Sequence, residues 1–141
     1  MSAKIFVDTN ILIYAHDLDA GRKQATAAAL LKKLWEEETG VLSTQVIQEF
    51  YVNITRKIPR PLTPAQARGF IVNYFSWPVV INGAATIRRA SEIQELSRIS
   101  FWDALIVAAA SEGRADQIVT EDLQAGETIE GIVIVNPFLG V

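Results

Sequence analysis

Ile5-Phe6-Val7-Asp8-Thr9-Asn10 sets three consecutive apolar, β-favouring residues directly before an acid and two small polar residues. An apolar run without polar alternation describes a strand covered on both faces, and such strands belong to parallel sheets. Ile118-Val119-Thr120-Glu121-Asp122 repeats the pattern, again ending on an acid. Further β-rich runs at residues 41–43, 79–81 and 132–135 alternate with segments of helical periodicity. Strands alternating with helices predict an α/β fold whose mainly parallel sheet of about five strands is covered on both faces.

The helical segments carry their own signals. Residues 22–38, with Ala25, Ala29, Leu30, Leu34 and Trp35, read as a long helix that Gly40 is expected to stop. A helix from about Gln45 places Val46, Ile47, Phe50, Tyr51 and Ile54 on an apolar stripe, with Glu49 at its edge. Pro59 and Pro61 break the chain before Thr63-Pro64-Ala65-Gln66, which has the Thr/Gln capping box and first-turn proline of a helix start. Residues 84–96 read as helix, and Ser100-Phe101-Trp102-Asp103 opens another that ends near Gly113. That last helix is apolar nearly all round between Ala104 and Ala110, as suits the interior. Trp77, Trp102, Phe50 and Tyr51 are expected in the core.

At 141 residues the chain fits one domain, residues 1–141. With half the residues apolar it folds rather than staying disordered. No apolar run approaches the roughly 18 residues a membrane helix needs, and Asp8 interrupts the first one too early for a secretory signal. Absence of cysteine removes disulfides, thiolate zinc sites and cysteine nucleophiles, and suits a cytoplasmic location. Any metal must therefore bind through oxygen or the single histidine, His16.

Ligands in open parallel sheets bind beyond the carboxyl ends of the strands, where the strand order reverses. Asp8 and Asp122 directly follow strands, and Glu49 starts from the same edge in the helix after the second strand. The helix before the fourth strand must run antiparallel to that strand, which brings its N-terminal Asp103 to this edge as well. Two carboxylates about 4 Å apart repel by about 4 kcal/mol at an effective dielectric of 20, so four together call for a cation. An oxygen-only set suits Mg²⁺, with Mn²⁺ as a substitute, and the chemistry such ions support is phosphodiester hydrolysis by metal-activated water. Net charge is −3, an unpromising value for a nucleic-acid binder, but the rest of the chain stands at +1 once these four acids are set apart.

These residues carry a resemblance. Phe6-Val7-Asp8-Thr9-Asn10-Ile11-Leu12, Val46-Ile47-Gln48-Glu49-Phe50, Ser100-Phe101-Trp102-Asp103-Ala104-Leu105-Ile106, and Thr120-Glu121-Asp122-Leu123 with Val135-Asn136-Pro137-Phe138 span nearly the whole chain. Together they resemble PIN-domain ribonucleases, most closely the VapC-type toxins of type II toxin–antitoxin pairs. The resemblance implies a three-layer α/β/α fold and a Mg²⁺-dependent endoribonuclease. Asp8 and Asp103 would be the main metal ligands, Glu49 and Asp122 would complete the catalytic acids, and Asn10 and Thr120 would support them. It also implies homodimerisation and inhibition by a cognate antitoxin seated in the active-site groove.

Plainer readings stand beside these. Asp8 can cap a helix beginning at Thr9, Asp103 suits the N-terminus of its helix, and Glu49 can be a surface acid. Glu121 reads as the solvent-exposed neighbour of Asp122, and His16 as a packing or surface residue. Arg56, Lys57 and Arg60, and the pair Arg88 and Arg89, are solvated charges or steer an RNA backbone. A haloacid dehalogenase-type phosphatase would need a second acid where Asn10 stands. A non-catalytic receiver-like module would need a lysine where Asn136-Pro137 stands, and an inactive PIN scaffold would fail to bind metal.

Overall fold

The computed structural model describes residues 2–141. Its elements, in chain order, are β1 (Ile5–Val7), α1 (Thr9–His16), α2 (Arg22–Glu37), β2 (Gly40–Ser43), α3 (Thr44–Arg56), α4 (Pro64–Tyr74) and β3 (Val79–Val80). There follow α5 (Ala84–Ser97), α6 (Phe101–Glu112), β4 (Gln117–Val119), β5 (Thr128–Ile129) and β6 (Ile132–Val135). The strands form one sheet in the order β3-β2-β1-β4-β6-β5, parallel throughout except for the β5–β6 pair.

This order follows from right-handed crossovers. The chain steps outward from β1 to β2 to β3; along that course α1 packs against both α2 and α3, and α3 against α4. Its return past β1 to β4 reverses direction, and α5 and α6 pack together as the crossover. The result is the expected three-layer α/β/α arrangement, with six strands in place of five. The additional strand belongs to a hairpin whose turn, Glu130-Gly131, has both φ angles positive (54° and 77°), the two-residue geometry that matches strand twist.

The core is built as the apolar patterns require. Phe6, Val7, Val41, Leu42 and Ile118 are buried in the sheet, and α6 is buried continuously from Ala104 to Ala110. Three expectations need correction. The inward stripe of α2 is Ala27, Leu31 and Leu34, which leaves Trp35 on the exposed side of the helix. That helix ends because Glu38 adopts the left-handed conformation (φ 56°), not because of Gly40. Gly40 instead lies inside β2 under the Trp77 ring, where a Cβ would overlap the indole. Finally, Phe50 and Trp77 are core residues and Tyr51 is half-buried, but Trp102 is exposed.

His16 is a packing residue at the end of α1. Its Nε2 lies 2.7 Å from the Tyr74 hydroxyl, and its ring rests against Phe70 and Phe50 at 4.3 and 5.2 Å between centroids. Burial pushes its pKa from 6.5 down to about 4. The unfolded chain therefore binds this proton first as pH falls. The contribution of neutral His16 is intact above pH 6.5 and is lost between 6.5 and about 4, on the order of 2–3 kcal/mol. Urea unfolding at pH 7 and pH 5 should show wild type losing about 2 kcal/mol relative to His16→Gln, the part of the window crossed by pH 5. Equal losses in the two proteins would refute the assignment.

Candidate functional site

Every acid that the sequence singled out lines one cleft of about 220 Å³ at the carboxyl edge of the sheet: Asp8, Glu49, Asp103 and Asp122. The cleft opens where the strand order reverses between β1 and β4, the position at which two diverging crossovers leave a crevice.

Asp8 is the innermost acid. It follows β1 and caps α1, with Oδ1 accepting the Thr9 N–H at 2.7 Å, so the capping and cleft readings hold together. Its Oδ2 accepts the Thr120 hydroxyl at 2.7 Å, a bond that ties the end of β1 to the residue after β4. Burial, the largest effect, raises the Asp8 pKa from 3.8 to about 6. The bonds from Thr120 and Thr9 oppose the rise, and the charges of Asp122 and Glu49 add to it.

Thr120 and Asn10 act as braces. The Thr120 Oγ also receives the Asp122 N–H at 3.0 Å and the Asn10 Nδ2 at 3.4 Å. Asn10 Nδ2 donates to Asp122 Oδ2 at 3.0 Å, while its Oδ1 accepts the Glu121 N–H at 3.3 Å. One amide and one hydroxyl thus fix the loop after β4 against the start of α1, and they hold Asp122 at the exposed lip.

Glu49 enters from the second turn of α3. It is half-buried, not a free surface acid, and its Oε1 accepts the Thr9 hydroxyl at 2.8 Å. Asp103 comes from the first turn of α6. The Ser100 hydroxyl accepts the Asp103 N–H at 3.1 Å, but the reciprocal bond of a full capping box is missing among the described residues. The Asp103 carboxylate therefore faces the cleft without a protein donor among the described residues.

Glu121 is separated from this group. It accepts a 2.6 Å hydrogen bond from the Tyr14 hydroxyl and pairs with Lys23, whose ammonium stands over the Tyr14 and Phe138 rings. Glu121 is thus half-buried in an ion pair instead of solvent-exposed, and Asp122, not Glu121, lines the cleft. Glu121→Gln should leave activity within about twofold of wild type, whereas Asp122→Asn should lower it at least tenfold. The reverse order would reassign the fourth acid.

Several lining residues escaped the sequence reading: Thr9, Ile13, Gln45, Asn53, Trp102 and Ile106. Gln45, Glu49 and Asn53 recur every fourth residue, one polar stripe along α3, so helical spacing carried a usable signal for two of them. Asn53 Nδ2 donates to the Glu49 carbonyl at 2.8 Å. Gln45 is buried; its Nε2 donates to the Trp102 carbonyl at 3.4 Å, and its Oε1 has no partner among the described residues.

The donor set fits a hard divalent cation. Among the described residues all the ionisable lining groups are carboxylates, no lysine or arginine lines the cleft, and the remaining polar side chains are three amides, a hydroxyl and the Trp102 indole. Among the described residues no three acids close into a tight metal-binding group. The expected convergence is therefore onto a shared cleft rather than a ready-made coordination shell. Mg²⁺, which keeps several waters and takes only one or two carboxylates directly, does not require such a closed group. Of the basic residues considered for RNA steering, Arg60 pairs with Asp19 at 2.9 Å and Arg89 pairs with Glu130 and Glu92.

Among solved structures, the chain is similar to a toxin–antitoxin complex from Klebsiella pneumoniae (21% identity, TM-score 0.70, 96% of this chain and 98% of that one). It is also similar to VapC20 of Mycobacterium tuberculosis, described as a sarcin-ricin loop cleaving toxin (22%, 0.61, 82% and 87%). A third is VapBC2 of Rickettsia felis bound to a promoter DNA fragment (19%, 0.64, 92% and 96%). At these identities the likeness shows the fold. No curated protein sequence matches significantly. The model of the PIN domain matches residues 5–128, a span that runs from β1 through the loop carrying Asp122, and with the switch-point cleft in place this chain belongs to the PIN domain family.

Proposed function

We propose that the protein is a Mg²⁺-dependent endoribonuclease, the toxin component of a type II toxin–antitoxin pair. The observation that carries this reading is a cleft with four acids and no basic group at the sheet's switch point. Asp8 and Asp103 would hold the cation, with Glu49 and Asp122 at its margins. A divalent cation held there supplies positive charge that offsets the carboxylates, draws in a phosphodiester and makes a bound water more acidic. Thr120 and Thr9 keep the Asp8 carboxylate aimed and ionised by donating to its two oxygens. Mn²⁺ substitutes for Mg²⁺ on the same oxygen ligands.

Partners follow from the same reading. The solved relatives include toxin–antitoxin complexes, which supports a cognate antitoxin covering the groove. Phe70, Val72 and Phe75 leave apolar surface exposed on and just after α4, which supports a covered face and a homodimer. No helix among the described residues is long and apolar enough to cross a membrane, and an enzyme that cuts cellular RNA would work in the cytoplasm.

The phosphatase alternative is not favoured. Asn10, at the position where it needs an acid, is committed on both ends of its amide to bracing Asp122 and Glu121.

The decisive experiment incubates antitoxin-free protein with total cellular RNA and Mg²⁺ or Mn²⁺, beside EDTA and Asp8→Asn controls, and sequences the new RNA ends. Cuts that require both metal and Asp8 are expected; cuts in EDTA, or in the variant at wild-type level, would refute the reading. A thermal melt gives an independent check. Mn²⁺ at about 100 times its dissociation constant should add about 2.7 kcal/mol to folding, and no shift relative to EDTA would count against a metal site.

A further inference from the structure

Trp102 is 64% exposed, although tryptophan is among the more buried residues on average. It stands on the rim of the acid cleft, one residue before Asp103 at the start of α6. Its surroundings hold it in place. The Phe101 ring meets the indole edge-on, with centroids 5.4 Å apart and planes at 78°, and buried Gln45 donates to the Trp102 carbonyl. A large flat ring is thus presented to solvent beside the acids from an anchored backbone.

The cleft gives this ring a task. With no lysine or arginine in the lining, a nucleic acid strand gains no attraction there from protein cations. Within the lining, contacts beyond the divalent ion fall to neutral groups, and Trp102 carries the largest ring among them. Stacking on an aromatic ring requires a base whose face is free, so it selects unpaired nucleotides and tolerates any base identity. We infer that Trp102 is the base-stacking platform of the cleft, holding an unpaired nucleobase next to the phosphate to be cut. This rests on the cleft being the place where RNA is cleaved, and it adds to that reading the residue that meets the base.

The test separates binding from cleavage. Fluorescence anisotropy in Ca²⁺ would compare a random-sequence single-stranded RNA with an abasic ribose-phosphate chain of equal length, on wild type, Trp102→Ala and Trp102→Phe. Trp102→Ala should weaken RNA binding roughly tenfold, Trp102→Phe should recover most of that loss, and the abasic chain should bind both variants as weakly as wild type. In cleavage assays Trp102→Ala should raise KM more than it lowers kcat. The Mn²⁺-induced melting shift should persist in both variants, which shows that fold and acid site are intact. Unchanged RNA affinity in Trp102→Ala would overturn the inference and leave the indole to a protein contact. Equal losses on RNA and abasic chain would overturn it too, since the ring would then act on backbone or fold. A base-dependent loss in a protein that never cuts RNA would uphold the platform and sink the nuclease reading instead.

Discussion

Asp8→Asn should abolish RNA cleavage, by about three orders of magnitude or about 4 kcal/mol of barrier, and at the same time stabilise the metal-free protein above pH 7. The first effect follows from removing the most buried carboxylate of the cleft. The second follows from the raised pKa of Asp8, about 6 against 3.8. Between those values the folded protein holds a proton that the unfolded chain has released. Stability is therefore fully present below pH 3.8 and is lost as pH rises through about 6, on the order of 2–3 kcal/mol. Asparagine carries no charge to strand, and its oxygen still accepts the Thr9 N–H. Its amide, however, adds a donor beside the Thr120 hydroxyl, which already receives bonds from Asp122 and Asn10. The net gain should therefore be about 1–2 kcal/mol, read from urea unfolding in EDTA at pH 7.5, and it should vanish below pH 4. Saturating Mn²⁺ should stabilise wild type and leave the variant unmoved. A variant less stable than wild type in EDTA at pH 7.5 would show that the bonds from Thr9 and Thr120 to the charged carboxylate outweigh the cost of burying it.

The second large effect lies far from the cleft. Gly40→Ala places a Cβ inside the Trp77 ring, which cannot retreat because Trp35 and Tyr74 pack against it edge-on at 5.6 and 5.8 Å. Overpacking of a rigid aromatic costs about 3 kcal/mol, equivalent to roughly 10 °C in melting temperature for a chain of this size. Cleavage per folded molecule should be unchanged. The double variant with Trp77→Phe should lose less stability than the two single losses combined, since the smaller ring makes room for the methyl. Strict additivity would mean that the clash is relieved elsewhere.

Much of this was legible in the chain. Apolar runs ending in acids, at residues 5–8 and 118–122, revealed both a parallel sheet and the edge where its chemistry lies. Helix starts at Thr63 and Ser100 were readable because capping uses few residue types at fixed spacing. What escaped depends on contacts between distant segments. Gly40 reads as a helix stop until β2 is placed under Trp77. Trp102 reads as core because aromatic residues usually are, and only the position of α6 at the cleft rim turns it outward. The β5–β6 hairpin was missed because β5 has two residues and its Glu-Gly turn lacks the customary Asn or Asp. Glu121 and Asp122 are adjacent acids, and only Tyr14 and Lys23, brought up from another part of the chain, tell them apart.

The hydrogen bond from Thr120 to Asp8 joins positions 112 residues apart, and it is the clasp on which the innermost acid depends. During synthesis on a ribosome, residues 8 and 49 emerge well before Thr120 does, and residue 103 shortly before it. Until the β4 segment clears the exit tunnel and settles beside β1, the nascent chain holds only fragments of an acid cleft. The order of the strands thereby delays assembly of the cleft until β4 pairs with β1, whatever the other acids have reached by then.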